Sequence, residues 1–255
     1  FRPPVVLAVA LVTGLAGVKA YMQDYPYTCL EQQASKAVAL EDRADIDRIV
    51  GMLPAYQDAH GLLKFFPTSL CGSEALTRHV INIFLANGVK FPEESLDKMT
   101  EGLKMAVQGQ YSCRSWWDGL VADSYRNEQR VLSIDTLSRA GKFSKDMMST
   151  VEITPNLWQT ETLAAWDRLL GREAGIANRD DLKKKSSTLL RARMNFQGSL
   201  MNLQGQLPWE AAWRLFTTND QQALSVFGAA LADPSWNEDI GRMARGVTAR
   251  LKRGT

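Results

Sequence analysis

The chain has 255 residues, 45% of them hydrophobic, with a formal net charge of +2 at neutral pH. That length suits one large domain or two small ones, and the lack of a Pro-rich or Gly/Ser-rich linker favours a single domain over 1–255. So balanced a charge argues against a dedicated nucleic-acid surface, and the densest basic run, Lys183-Lys184-Lys185 with Arg191 and Arg193, reads as a solvated helical face.

At the N-terminus, the apolar run from Val5 to Val12, followed by Gly17-Val18-Lys19-Ala20, imitates a signal peptide. Its charged leader is the single Arg2, and it is too short and too rich in small residues for a membrane span. It reads instead as a helix leading into Tyr25-Pro26-Tyr27-Thr28-Cys29-Leu30-Glu31-Gln32-Gln33. Pro26 cannot continue a helix and biases Tyr25 to an extended backbone, so a new helix is expected to run to Leu40. Thr28 is its expected N-cap, in a capping box with Glu31. Positions i and i+3 share a helix face, so the Cys29 sulfur and the Gln32 side-chain carbonyl can close a ring with loss of ammonia, giving an internal thioester. The partial positive charge at a helix N-terminus is expected to lower the thiol pKa. The bland reading of Cys29 is a small buried hydrophobe.

Apolar-periodic segments follow around Ala75 to Leu85, Val131 to Ala140, Leu157 to Leu170 and Leu182 to Leu190. Leu96, Met99, Leu103, Ala106 and Val107 form a stripe after Pro92, which is expected at a first helical position. Ile240, Met243, Ala244, Val247 and Leu251 form another, introduced by Ser235 and Glu238 in capping-box spacing, a start signal that Asn219 and Gln222 repeat. No window alternates with period two around hairpin turns, so little sheet is expected. Helices of this length joined by short turns suggest packed helical hairpins, and periodicity alone leaves bundle, solenoid and closed ring open.

The string Tyr25-Pro26-Tyr27-Thr28-Cys29-Leu30-Glu31-Gln32 resembles the thioester motif of the bacterial α2-macroglobulins. Gly61-Leu62-Leu63-Lys64-Phe65-Phe66-Pro67, then Cys71-Gly72-Ser73-Glu74-Ala75-Leu76-Thr77, resembles the family's Gly-Gly-Phe-x-x-Trp-Pro segment and its Leu-Thr helix. Phe66 stands where tryptophan is usual, and Arg78-His79 replaces Ala-Tyr. Trp209 to Ala232 and Ile240 to Gly254 are similar to the family's late helices. The resemblance implies an all-α fold, an α/α toroid of helical hairpins, as one thioester domain excised from a larger macroglobulin and lacking the toroid's last helices. Its implied function is a stoichiometric protease trap rather than an enzyme: after bait-region cleavage, the Cys29–Gln32 thioester acylates lysine amines of the attacking protease, with Tyr25, Tyr27 and Glu31 around the bond. The implied partners are target proteases, the parent's other domains and envelope proteins. The implied location is periplasmic or otherwise extracytoplasmic, anchored to a membrane through the parent. The rival reading is a scaffold or interaction domain whose thioester does not form.

With Cys29 so committed, Cys71 and Cys113 are left either as a disulfide, which fits an oxidising compartment, or as two buried thiols. The histidine that steers some complement components toward hydroxyl groups would fall in the Gln110 to Trp117 region, which has none, so amines are the expected acceptors. His60 and His79 read as a turn residue and a helix residue. No metal site and no cofactor is expected, since His-x-x-x-His, Cys-x-x-Cys and phosphate-binding Gly-rich patterns are missing from the sequence. Asp42, Asp45, Asp47, Glu93, Glu94 and Asp97 read as helix-start or solubilising carboxylates. Trp116, Trp117, Trp158, Trp166, Trp209, Trp213 and Trp236 could line a carbohydrate groove, but their scatter favours core packing, and no carboxylate pair for glycoside hydrolysis stands out.

Overall fold

The computed structural model describes residues 17–111, 113 and 123–250, and helices carry most of them. After a helical stretch at 17–23 (α1), the helices are α2 (Leu30–Leu40), α3 (Arg43–Tyr56), α4 (Glu74–Ala86), α5 (Glu93–Val107), α6 (Asp123–Arg139), α7 (Thr160–Arg172), α8 (Arg179–Ala192), α9 (Trp209–Leu215), α10 (Asn219–Leu231) and α11 (Ile240–Thr248). Among the described residues the fold is all-α apart from one hairpin of β1 (Met194–Gln197) and β2 (Leu200–Leu203). Trp116, Trp117, Leu251, Arg253 and Gly254 lie outside the described residues, as does the apolar run from Val5 to Val12.

Two compact units emerge. The described residues of Tyr25–Ile153 with Arg214–Phe216 form one, and those of Phe1–Asp24, Thr154–Trp213 and Thr217–Thr255 the other.

In the first, α2 packs on α3 and α4, and α4 and α5 pack on α6. The expected periodicity is visible in what is buried, Leu76, Val80 and Phe84 of α4 and Met99, Leu103 and Val107 of α5, with Leu96 and Ala106 of the expected stripe only half-buried; α3, for which no stripe was expected, buries Ile46, Ile49 and Leu53. Each large apolar side chain so enclosed contributes about 1.5–3 kcal/mol. Helix starts follow local capping chemistry: Asp42 accepts the Asp45 N–H and Ser73 the Leu76 N–H. Pro92, expected at the first helical position, is instead the N-cap, with extended ψ, and Glu93 opens α5.

The second unit has a core of Leu163, Leu190, Met201, Val226, Trp236 and Met243, where α7, α8, α10 and α11 meet the hairpin. Gly198-Ser199 closes that hairpin with Gly198 at φ +59. Beneath it Gly246 of α11 allows close approach, since a Cβ there would lie 2.1 Å from the Met201 carbonyl oxygen. Ser235 and Glu238 do not cap α11. Ser235 sits in the 3-10 turn Pro234–Trp236, bound by the Asp233 carboxylate, and Asp239 precedes α11. Thr218, not Asn219, caps α10. The basic run is also less solvated than its composition suggests: Lys183 pairs with the fully buried Asp167 and with Asp233, and Arg191 pairs with Asp239 while lying over Trp236. Trp158, Trp166 and Trp236 are buried, whereas Trp209 is exposed.

Candidate functional site

The site is built at the first turn of α2. Cys29 is the N-cap, with φ −67 and ψ 159, and the cap is reciprocal. Its sulfur accepts the Gln32 backbone N–H, and Gln32 Oε1 accepts the Cys29 N–H at 3.3 Å. The expected Thr28–Glu31 box is therefore displaced by one residue. Thr28 is exposed, and its carbonyl takes the Gln33 side-chain amide at 2.5 Å. The shift has a physical cause: a capping box needs an acceptor at the N-cap and a long polar side chain at N3, which Cys29 and Gln32 supply, while Glu31 is engaged elsewhere. The same i, i+3 geometry that caps the helix brings the two candidate thioester residues together.

One of the orphan N–H groups of this helix start, that of Leu30, donates at 3.0 Å to the carbonyl of Phe65. Phe65 lies in the loop from Gly61 to Pro67, which Asp58 holds. One Asp58 oxygen accepts the His60 and Leu62 N–H groups at 2.9 and 3.0 Å; the other accepts the Gly72 N–H at 2.9 Å and the Tyr111 hydroxyl at 2.8 Å. Gly61 is obligatory in this loop. Its φ is +92, and a Cβ would stand 2.1 Å from the Lys98 carbonyl oxygen. Cys71 and Cys113 are joined by a disulfide with Cα atoms 5.7 Å apart, next to Gly72 on one side and near Tyr111 on the other. Burial and the neighbouring Asp58 carboxylate push the Tyr111 phenol far above its usual range. His60 is a turn residue with its ring edge-on to Tyr111 at 5.4 Å.

Burial raises the pKa of the free Cys29 thiol, with the Glu31 charge adding to the rise and the Gln32 and Glu31 backbone N–H groups opposing it. The expected lowering at a helix N-terminus is thus present but outweighed, because a sulfur withdrawn from water loses more than two backbone dipoles return.

Glu31 turns to the other flank of α2. Ser35 Oγ lies 3.1 Å from Glu31 Oε1 and 2.8 Å from His79 Nε2 on α4. His79 is 16% exposed, and burial lowers its pKa against the pull of Glu31. The Phe216 ring stands edge-on to both Phe65 and His79, at 6.0 Å from each, with Phe216 itself at φ +56. Tyr25 and Tyr27 pack edge-on at 5.1 Å, and Lys36 donates to the Tyr25 carbonyl at 3.1 Å, binding the segment before the site to α2. Tyr27 is 59% exposed. Among the described residues, no cluster of His, Cys, Asp and Glu could hold a metal ion.

No family model matches the sequence. No curated protein matches it either. Solved structures do match. Native alpha-2-macroglobulin from Escherichia coli superposes with a TM-score of 0.65 at 13% identity, over 94% of this chain and 16% of that one. The crystal structure of the E. coli protein from domain MG7 to the C-terminus gives 0.65 at 14% identity, over 94% of this chain and 39% of that one. This chain has the fold of a bacterial alpha-2-macroglobulin segment. Salmonella alpha-2-macroglobulin reacted with methylamine matches as well, with a TM-score of 0.61 at 14% identity over 95% of this chain and 18% of that one. The chain thus spans a small part of the alpha-2-macroglobulins whose fold it shares, and within the E. coli protein that part lies between domain MG7 and the C-terminus.

In this alpha-2-macroglobulin-like fold, Cys29, Gln32 and Glu31 meet at one helix start, with Tyr25 and Tyr27 just before it. Cys71, just after the loop that supports the start, is joined to Cys113, which follows α5. Ser35 and Phe216 escape a sequence reading. Ser35 is an ordinary helix residue until α4 delivers His79, and Phe216 carries no local signal. His79 has one weak signal, its place in the Arg78-His79 departure.

Proposed function

We propose that this chain is the thioester domain of a bacterial alpha-2-macroglobulin, folded as helical hairpins in an α/α toroid, and that Cys29 and Gln32 form its internal thioester. The observation that carries the proposal is the reciprocal cap: a buried sulfur and a glutamine side chain held across one helical turn. Ring closure joins the Cys29 sulfur to the Gln32 side-chain carbonyl carbon and releases ammonia. Capture reverses the activation: a lysine amine attacks that carbon, the C–S bond breaks, Cys29 leaves as a thiolate and takes the proton from nitrogen, and an amide remains at position 32. The event happens once per molecule, so the protein is a stoichiometric inhibitor of proteases rather than an enzyme. Cys29 burial supports a bond kept from water until a protease cuts the parent elsewhere. The Cys71–Cys113 disulfide supports an extracytoplasmic location, periplasmic in a bacterium, with membrane anchoring through the parent. No helix among the described residues is long and apolar enough to cross a membrane.

The test is the intact mass of the full-length parent with and without methylamine, followed by peptide mapping and a repeat with Cys29→Ala. A starting mass short by one ammonia, then methylamine on residue 32 with release of the Cys29 thiol, is the expected result. An unmodified Gln32 beside a free Cys29 from the outset refutes the reading and leaves a non-reactive scaffold domain.

A further inference from the structure

The Cys71–Cys113 disulfide takes no part in the capture chemistry above, yet it sits where the loop beneath the candidate site is fastened. It joins positions 42 apart, with Cys71 shortly before α4 and Cys113 soon after α5. Each cysteine lies within two residues of a partner of Asp58. The Gly72 N–H donates to Asp58 Oδ2 at 2.9 Å, and the Tyr111 hydroxyl donates to that same oxygen at 2.8 Å while lying 3.2 Å from the Gly72 carbonyl. The other Asp58 oxygen holds the His60 and Leu62 N–H groups.

These contacts continue to the helix start. Gly72 lies so close to Leu62 that a Cβ on it would stand 2.4 Å from Leu62 Cβ. The Ser73 N–H donates to the Leu63 carbonyl at 2.8 Å, and the Leu63 N–H donates to Thr77 Oγ1 at 2.8 Å. Two residues on, the Phe65 carbonyl accepts the N–H of Leu30, which directly follows Cys29. Every residue of this path belongs to the unit of Tyr25–Ile153. The two ends of the path differ in their access to solvent. Both disulfide cysteines are half-buried, and Phe66, Pro67, Thr68 and Leu70 in the segment leading to Cys71 are exposed, whereas Cys29 is buried. A small reductant can therefore approach the disulfide in the folded protein while the candidate acyl group stays covered.

A disulfide acts chiefly on the opened chain, by limiting how far its two ends can separate. Here the limit falls on the opening in which Tyr111 leaves Asp58 and Gly72 moves off Leu62. Local openings of this kind cost less than global unfolding, and they set how often water reaches a covered group.

We propose that the Cys71–Cys113 disulfide is a redox-sensitive safety catch on the thioester: oxidised, it holds the loop that seats the start of α2, and reduced, it lets the loop open so that water discharges the acyl group. The inference rests on the thioester reading above, and its consequence is a trap that stays armed only in an oxidising compartment. The physiological reductant is a dithiol. One of its thiolates attacks a sulfur of the disulfide, the S–S bond breaks, and the second thiol resolves the mixed disulfide. Two electrons pass to Cys71 and Cys113, which become thiols, and the dithiol leaves as its own disulfide. In the discharge, water adds to the Gln32 side-chain carbonyl carbon, the C–S bond breaks, Cys29 leaves as a thiolate and takes a proton from the water, and a carboxyl group remains at residue 32.

The experiment uses the full-length parent, without protease, before and after treatment with tris(2-carboxyethyl)phosphine, since a thiol would attack the thioester itself. The phosphine takes oxygen from water as the disulfide becomes two thiols, and iodoacetamide labelling of Cys71 and Cys113 verifies the reduction. Peptide mass follows residue 32 from its ammonia-deficient form to the hydrolysed acid or, in added methylamine, to the methylamide. Discharge should run about 10-fold or more faster in the reduced parent, a small share of the constraint a disulfide supplies. Tyr111→Phe, which keeps the disulfide and removes only the hydroxyl, should speed discharge of the oxidised parent toward the reduced rate. Hydrogen exchange locates the effect: the Leu30 amide should exchange faster on reduction, with the amides of α7 and α10 little changed. Equal discharge rates in the oxidised and reduced parent, a disulfide that resists the phosphine in the folded protein, or an acceleration that α7 and α10 amides share equally overturns the proposal. An oxidised parent with neither the ammonia deficit nor the methylamide defeats the thioester reading itself, and this one with it.

Discussion

Replacing Asp58 by Ala removes the acceptor that ties the loop under the candidate site together. Four donors converge on that carboxyl group: the N–H groups of His60, Leu62 and Gly72, and the hydroxyl of Tyr111. They are not equally harmed. The Tyr111 hydroxyl has a second acceptor in the Gly72 carbonyl at 3.2 Å, and His60 is only half-buried, so water can serve its N–H. Leu62 is fully buried and Gly72 packs against it, which leaves two donors stranded at about 1–3 kcal/mol each, or roughly 2–6 kcal/mol in all. Urea unfolding of wild type and Asp58→Ala measures that loss. Two local readouts accompany it. Tyr111 should ionise at lower pH in the variant, because one cause of its raised pKa is gone, although burial continues to hold it up. The Leu30 amide should exchange faster, since its acceptor, the Phe65 carbonyl, belongs to the loosened loop. A variant within about 0.5 kcal/mol of wild type, the range of ordinary surface substitutions, would refute the assignment of Asp58 as the loop's organising acceptor.

Reduction of the Cys71–Cys113 disulfide, which spans 42 residues, should lower stability by about 4 kcal/mol on the chain-entropy relation, read from urea midpoints with and without reductant. Gly61→Ala should cost more than about 2 kcal/mol, because the site demands φ +92 and a Cβ would meet the Lys98 carbonyl oxygen; unchanged thermal unfolding would contradict the geometry. Asp167→Ala removes one of the two carboxylates that hold Lys183 and one of the two acceptors of the buried Ser186 hydroxyl, for a loss of about 1–3 kcal/mol in the unit containing α7 and α8, detectable by chemical denaturation. His79 carries a pH dependence. Its folded pKa lies below the ordinary 6.5, so the unfolded chain binds its proton first as pH falls. The stability it contributes is complete above that value and is lost as pH drops from there toward the folded pKa. Faster exchange of α2 and α4 amides in that window should appear in wild type and be absent from His79→Gln.

Local chemistry was the legible part of this protein. Helix content, the apolar faces of α4 and α5, and the i, i+3 pairing of Cys29 with Gln32 follow from periodicity and spacing within one or two turns, where the interacting residues are also sequence neighbours. Helix starts were legible only approximately. Thr28 yields the cap to its neighbour Cys29, Pro92 takes the cap itself rather than the first helical position, and Ser235 is drawn into its own 3-10 turn while Asp239, four residues on, precedes α11. The Gly198-Ser199 turn of the hairpin was a readable signal set between strands too short to alternate visibly.

The tertiary structure decided the environment of the site. The sign of the Cys29 shift depends on burial, which no spacing reveals, and burial outweighs the helix-terminus effect that spacing does reveal. Phe65 and Gln32 are distant in sequence, yet the Phe65 carbonyl completes the cap. His79 reaches Ser35 across 44 positions because α2 and α4 pack side by side, and Phe216 joins them from far down the chain. Sequence by itself determined that a cysteine and a glutamine share one helical turn, because that is a matter of spacing; folding alone decided what surrounds them, because solvent exclusion and hydrogen-bond partners come from contacts between segments whose separation leaves no periodic trace.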